Sequence, residues 1–284
     1  MDNDELQSVR IRRLARFGLN TADSGRLVSF YEQAFDGRIV ASDRFSDRHV
    51  VTLALGDSTL EFTQFDQPGR SYPHDLAPFE AAFQHLAIVV ADLPRACGRL
   101  SEIVGWTAIS TGPQRLPARS GGVNAFKFRD PDGHPLELLN FPDDQLPPYW
   151  RSPRPDRMYL GVDHSALSVI DLNRSRRFYE DLGLTLAHQS LNVGMEQQLL
   201  DGILNPRVDV MALAPARSTP HVELLHYRDQ VRGSRDCLRL HDIAATRLIF
   251  ELEPPDVAGP PHRESIFQDP DGHFIQLTRG GGNC

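Results

Sequence analysis

Apolar and polar residues alternate along three stretches of the chain, 16–23, 85–92 and 164–171, and each stretch then changes to a helical spacing. Each ends in an aspartate (Asp23, Asp92, Asp171) that can cap the first turn of the helix behind it. After Asp23 the apolar residues Leu27, Tyr31 and Phe35 recur on one helix face. After Asp92, Pro94 falls in the first turn, where its missing N–H is harmless. Further alternating runs follow each predicted helix: 50–55 and 59–65, then 107–110, 123–128 and 136–141, then 184–189, 208–212 and 221–227. The repeated unit is β-α-β-β-β.

A fourth copy begins near Ala244 with the run 246–253, but eight residues containing Pro254, Pro255, Pro260 and Pro261 stand where its helix should be. Proline removes a donor and clashes with the preceding turn, so that helix is not expected. The pattern resumes at 264–277. Asp-Pro-Asp-Gly-His occurs twice, at Asp130–His134 and Asp269–His273, each time between apolar runs. Proline presets φ, aspartate bonds its own backbone and glycine supplies positive φ, so both are hairpin turns. Such duplication divides the chain into four modules, 1–67, 82–142, 159–229 and a degenerate 237–279. The fold class is α+β, with four βαβββ-type modules, the last truncated. Proline-rich joints near 67–78 and 142–155 are expected to be extended and stiff.

With 284 residues the chain can bury one large core or two ordinary ones. Its net charge of −8 lacks any basic stripe, which argues against nucleic acid as a partner. No apolar run is long enough to span a membrane. The acidic start, Met1 to Glu5, has no hydrophobic signal core, so a cytoplasmic setting is expected. Cys97, Cys237 and Cys284 lack metal spacing and read as reduced thiols.

The His-x-Ala-x-x-Val-x-Asp strand at 164–171, its counterpart at 85–92, the Phe-Tyr-Glu helices and the two Asp-Pro-Asp-Gly-His turns together resemble the vicinal oxygen chelate superfamily. It is also called the glyoxalase/bleomycin-resistance/dioxygenase superfamily. The resemblance covers nearly the whole chain and is specific for fold rather than activity. It implies that modules pair into two cupped, incomplete β-barrels. It also implies a metal held by one residue on the first and one on the last strand of each paired module. Carried over position by position, the first-strand candidates are Arg16, His85, His164 and Thr246. The last-strand candidates are Glu61, Glu137, Glu223 and Gln276. The three glutamates sit between large apolar residues, so strand alternation turns them to the opposite face from those neighbours. If that face is a cup interior, each carboxylate needs a partner, and a divalent cation is a natural one.

Pairing modules in sequence order gives two poor donor sets. Pairing the second with the third, and the first with the fourth, collects His85, Glu137, His164 and Glu223 in one cup and leaves Arg16 to neutralise Glu61 in the other. The second arrangement is the expectation. Two imidazoles and two carboxylates suit one divalent ion, Ni, Co, Fe, Mn or Zn. Room for two neighbouring substrate oxygens suits a small molecule such as an α-hydroxycarbonyl, enediolate or catechol. Glu137 and Glu223 are the candidate catalytic bases. The set is similar to that of bacterial-type glyoxalase I, which implies isomerase or lyase proton transfer. An Fe(II) extradiol-type dioxygenase built on His85, His164 and Glu223 is the alternative, and a metal-free small-molecule binding or resistance protein is a third. Candidate substrate contacts are Arg115 and Arg119 in the loop 112–122, Phe126 on a cup strand, and Asn192 and Glu196 in the segment 192–198. The expected partner is a small molecule, with a homodimer allowed.

Overall fold

The structure is a computed structural model that describes residues 10–151, 157–230, 237–253 and 265–279. The first module contains β1 (Ile11–Asn20), α1 (Ser24–Phe35), β2 (Arg38–Arg44), β3 (Arg48–Leu55) and β4 (Ser58–Phe65). The second contains β5 (Gln84–Val90), α2 (Leu93–Ser101), the short β6 (Thr107–Ala108) and β7 (Gln114–Arg115), then β8 (Asn124–Arg129) and β9 (Pro135–Asn140). The third contains β10 (Tyr159–Ser168), α3 (Leu172–Asp181), β11 (Thr185–Val193), α4 (Met195–Asp201), β12 (Arg207–Ala214) and β13 (His221–Tyr227). The last described strands are β14 (Arg247–Leu252), β15 (Ser265–Gln268) and β16 (Phe274–Arg279). The proline-rich segment expected to lack a helix, 254–261, lies outside the described residues.

The three predicted caps form: Asp23, Asp92 and Asp171 each accept a backbone N–H three residues on. Besides the two-residue β7 inside the expected loop 112–122, two elements were not anticipated. Strand β2 is exposed along its whole length, so no apolar alternation marks it. Helix α4 is short and mostly polar, bounded by Gly194 and by Gly202 in the left-handed region (φ +67°), and its segment had read as a loop.

The strands form two sheets. One is seven-stranded, in the order β15-β16-β14-β1-β4-β3-β2. The other is nine-stranded, β11-β12-β13-β10-β5-β9-β8-β6 with β7 beside β8. At the middle of the larger sheet β5 and β10 run antiparallel, each flanked by a parallel last strand, β9 beside β5 and β13 beside β10. The smaller sheet repeats this at β1 and β14, flanked by β4 and β16. The modules are thus mixed α/β units in two open, cupped sheets.

The helices bind the sheets together. Leu27, Tyr31 and Phe35 of α1, Leu93 and Leu100 of α2, and Tyr179 of α3 share one core with Phe62 of the smaller sheet and Phe128, Leu138 and Leu224 of the larger. The repeated turns join the same layers by polar contacts. Asp130 Oδ1 accepts the backbone N–H groups of Asp132 and His134, and Asp269 Oδ1 those of Asp271 and His273. Their other carboxylate oxygens accept buried phenols: Tyr31 of α1 donates to Asp130 (3.1 Å), and Tyr179 of α3 to Asp269 (2.9 Å). Each Phe-Tyr-Glu helix is therefore fastened to a hairpin in the opposite sheet. His134 bonds Asp130 and His273 bonds the Ser168 carbonyl, so both are turn-stabilising residues.

One tight approach positions the site. Gly56, at the β3–β4 turn, has φ +56°, and an added Cβ would lie 2.2 Å from the Leu160 backbone. The turn therefore reaches β10, where Asp57 N–H donates to Leu160 O and Ser58 Oγ accepts from Val162 N–H, each at 2.8 Å.

Among the described residues no helix is long and apolar enough to cross a membrane.

The Tyr–Asp bonds should be measurable. Tyr31→Phe and Tyr179→Phe are expected to cost about 1–2 kcal/mol each in urea unfolding, because a buried charged acceptor loses a donor. Unchanged midpoints and slopes would show that the helix–hairpin links carry no stability.

Candidate metal centre

The four central strands of the larger sheet, β13-β10-β5-β9, carry Glu223, His164, His85 and Glu137 in that order. His85 Nε2 lies 2.9 Å from Glu137 Oε2. His164 Nε2 lies 4.0 Å from the same oxygen and 3.5 Å from Glu223 Oε2. His85, Glu137 and His164 are buried and offer donor atoms within 4.8 Å of one another. Glu223 stands on the far side of His164, with 22% of its side chain exposed into the cavity.

Strand geometry explains why Asp163 joins them. The β5–β10 register runs Val162 opposite Ile88 and then His164 opposite Ala87, leaving Asp163 as an extra residue. Such a bulge disturbs alternation, so two neighbouring residues can serve one site. Asp163 Oδ2 lies 3.1 Å from His164 Nδ1, and its Oδ1 accepts the Trp150 indole N–H at 2.9 Å. The far nitrogen of His164 is therefore occupied and Nε2 is turned toward the two glutamates, the usual support for a ligating imidazole. His221, two residues before Glu223 on the same strand face, places Nε2 3.7 Å from Glu223 Oε1.

His85 is the informative residue. Both its ring nitrogens are buried, and neither makes a hydrogen bond. Glu137 Oε2 is close enough for one but off the N–H direction. Lone pairs that approach without bonding suit a third partner between them. Cis ligands held about 2.1 Å from one ion lie roughly 3 Å apart. The N₂O₂ donor set and this pair both fit a divalent ion.

Electrostatics favour the ligating forms of His85 and both glutamates. Burial, helped by the Lys127 ammonium, pulls His85 below the ordinary imidazole range and keeps it neutral. Burial pushes Glu137 up, but the opposing influences, led by the Lys127 ammonium, outweigh it and hold the carboxyl below its usual range. Glu223 is likewise held well down against burial, by His164 and His221. His164, beside Glu223 and Asp163, overcomes its burial and is pushed up to about 9, so a cation at the site must displace its proton.

Beyond these donors opens a cavity of about 440 Å³. Lys127 lines it as the cross-strand neighbour of Glu137. Its ammonium is 2.8 Å from Asp201 Oδ1, and Asp201 Oδ2 accepts from Gln197 (2.7 Å) and Tyr227 (3.1 Å). Burial opposes the charge, but Asp201 and Glu137 outweigh it and hold the ammonium pKa above its usual value.

Of the expected substrate contacts, Asn192 lines the cavity, on β11 rather than in a loop. Phe126 does not: it stacks on Phe128 and packs in the core. Lys127, of opposite parity, takes the cavity face, so the two aromatic residues cannot. Arg115 and Arg119 are exposed and absent from the cavity wall, where their loop contributes Ser120 and Gly121 instead. Glu196, on α4, also lies off the wall. The smaller sheet places Arg16 Nε 2.9 Å from Glu61 Oε1, and Thr246 bonds Tyr72. Among the described residues, both groups of three or more potential ligands lie in the larger sheet.

The model of the Glyoxalase/Bleomycin resistance protein/Dioxygenase superfamily matches residues 13–138 and 161–277. The chain belongs to this superfamily. No curated protein matches it. Among solved structures, glyoxalase I from Zea mays is similar at 17% identity, covering 96% of this chain and 92% of that one, with a TM-score of 0.60. A mutant of that Zea mays enzyme is similar at 15% identity, 98% and 95% coverage, and a TM-score of 0.61. A putative dioxygenase from Bacillus subtilis subsp. subtilis str. 168 is similar at 11% identity, 95% and 86% coverage, and a TM-score of 0.60. At such identities these likenesses establish the superfamily's fold and leave the reaction to the site.

The buried ion pair gives a direct test of the cavity's charge pairing. Asp201→Asn should destabilise the protein by about 3–5 kcal/mol, because it strands the Lys127 charge. Lys127→Met with Asp201→Asn should cost less than Asp201→Asn alone. Chemical denaturation of the single and double variants checks this, and simple additivity would contradict the pairing.

Proposed function

We propose that this superfamily member is a divalent-metal-dependent, glyoxalase-like enzyme. It would catalyse an isomerase- or lyase-type proton transfer on a small molecule with vicinal oxygens. The observation that carries the reading is His85, with both nitrogens unpartnered and Glu137 2.9 Å away off the bonding direction. The proposed ligands are His85, Glu137, His164 and Glu223. The reading treats modules 82–142 and 159–229 as the metal cup and modules 1–67 and 237–279 as its structural partner. Sheet order supports that division.

The bound ion would act as a Lewis acid on adjacent substrate oxygens. The protein's own groups divide the remaining work. His85 and Glu137, on β5 and β9, are buried and fixed. Asp163 and Trp150 hold the ring of His164. Glu223 is the more accessible of the two glutamates, because it faces the open cavity while Glu137 is buried. It would take a proton from the carbon next to the substrate carbonyl and return it to the neighbouring carbon. His221 would steady the carboxylate between those steps. The Lys127 ammonium, held by Asp201, would add a fixed positive charge on the cavity wall beside Glu137.

One observation favours the dioxygenase as a second reading. The compact group is two histidines and one carboxylate, His85, His164 and Glu137, which resembles the facial triad of non-haem Fe(II) oxygenases. In that reading Glu137 is the ligand and Glu223 lies beside the ion, the reverse of the assignment expected from the sequence.

Metal analysis after loading and dialysis separates these readings. His85→Ala and His164→Ala should each lose most bound metal, while Arg16→Ala should keep it. Glu223→Gln should retain the ion and lose proton transfer about 10²–10⁴-fold. Iron binding with oxygen uptake on catechols, retained in Glu223→Gln, would decide for the dioxygenase. A wild-type protein that takes up no metal would leave a binding protein, and metal loss from folded Arg16→Ala would place the site in the other cup.

A further inference from the structure

The cavity walls restrict what can enter. Outside the His and Glu donors they are mainly apolar, with Leu116, Val123, Leu139, Leu200, Val210 and Leu225 buried and drawn from both modules of the larger sheet, while His188, Ser190, Asn192 and His221 add polar groups. A ligand body seated there exchanges water for hydrocarbon contact. The charged groups Lys127, Asp201 and Asp163 are already matched by fixed partners. Lys127 supplies the one ammonium or guanidinium group among the described wall residues, and it is fixed on Asp201. Both oxygens of Asp201 are used, by Lys127 and by Gln197 with Tyr227. Asp163 is engaged by Trp150 and His164. Glu137 and Glu223 together would offset one divalent ion. Arg115 and Arg119, the cations expected to receive an anionic substrate, stand outside the wall.

A carboxylate or phosphate on the ligand body would therefore lose its hydration without meeting a free counter-charge, a strongly unfavourable exchange. An uncharged apolar body meets no such penalty.

We propose that the substrate joins a pair of adjacent, uncharged oxygens to an aromatic or branched aliphatic body bearing no carboxylate or phosphate. The seat of the oxygens rests on the metal-centre reading above. The class of the body rests on the walls and on the paired charges.

Three small probes test the two parts separately, with dissociation constants measured by calorimetry on the Co²⁺-loaded full-length protein and on the metal-free protein. The probes are 4-tert-butylcatechol, 3,4-dihydroxybenzoate and 4-tert-butylphenol. On the loaded protein, 4-tert-butylcatechol should bind at least tenfold tighter than 3,4-dihydroxybenzoate. It should also bind tighter than 4-tert-butylphenol, and that second advantage should vanish without metal. Equal or tighter binding of 3,4-dihydroxybenzoate would overturn the proposal, as would failure of every probe to bind. If both tert-butyl probes bind equally with and without metal, yet tighter than the carboxylate, the metal-centre reading fails and the assignment of the apolar body stands.

Discussion

The antiparallel pairing of β5 with β10 is the constraint on which the site depends. These strands begin different modules, and only their union sets His85 and His164 beside one another and within reach of Glu137. Because β9 and β13 lie parallel to them on either side, the four donors occupy four neighbouring strands. The bulge at Asp163 then supports His164 from behind. The Val162 N–H at this bulge donates to Ser58, from the opposite sheet. The smaller sheet thus helps to shape a site to which it contributes no ligand candidate.

A second constraint is that charge inside the cup must be matched. The larger sheet buries an ammonium, several carboxylates and two imidazoles close together. In low-dielectric surroundings each must be paired or ligated. Lys127 and Asp201 satisfy one another, and Asp163 is satisfied by Trp150 and His164. His85 is left with both nitrogens idle. A local discord of this kind falls on a residue that a cation would satisfy, and a functional site is where such a discord is expected.

Much of this was legible in the sequence. The repeats, the capping aspartates and the turns depend on local chemistry, which a single segment displays. Strand parity turned the glutamates away from their apolar neighbours. The same parity rule, applied to Phe126-Lys127-Phe128, would have placed Lys127 in the cavity and both aromatic rings in the core. His221, at i−2 from Glu223, was readable by the same rule. Other features were not local. Asp163 reaches the site through a bulge that depends on register with β5 and on a turn more than one hundred residues earlier. Strand β2 has no buried face to impose alternation, and α4 is too short and polar to show helical periodicity.

The central claim is that His85 and His164 bind one ion together. X-ray absorption at the cobalt edge of the Co²⁺-loaded protein tests it most directly, with the His221→Ala variant measured alongside. The account predicts one ion per chain, with two imidazole nitrogens and carboxylate oxygens around it, unchanged in His221→Ala. A single imidazole, or a second imidazole that disappears with His221, would contradict it.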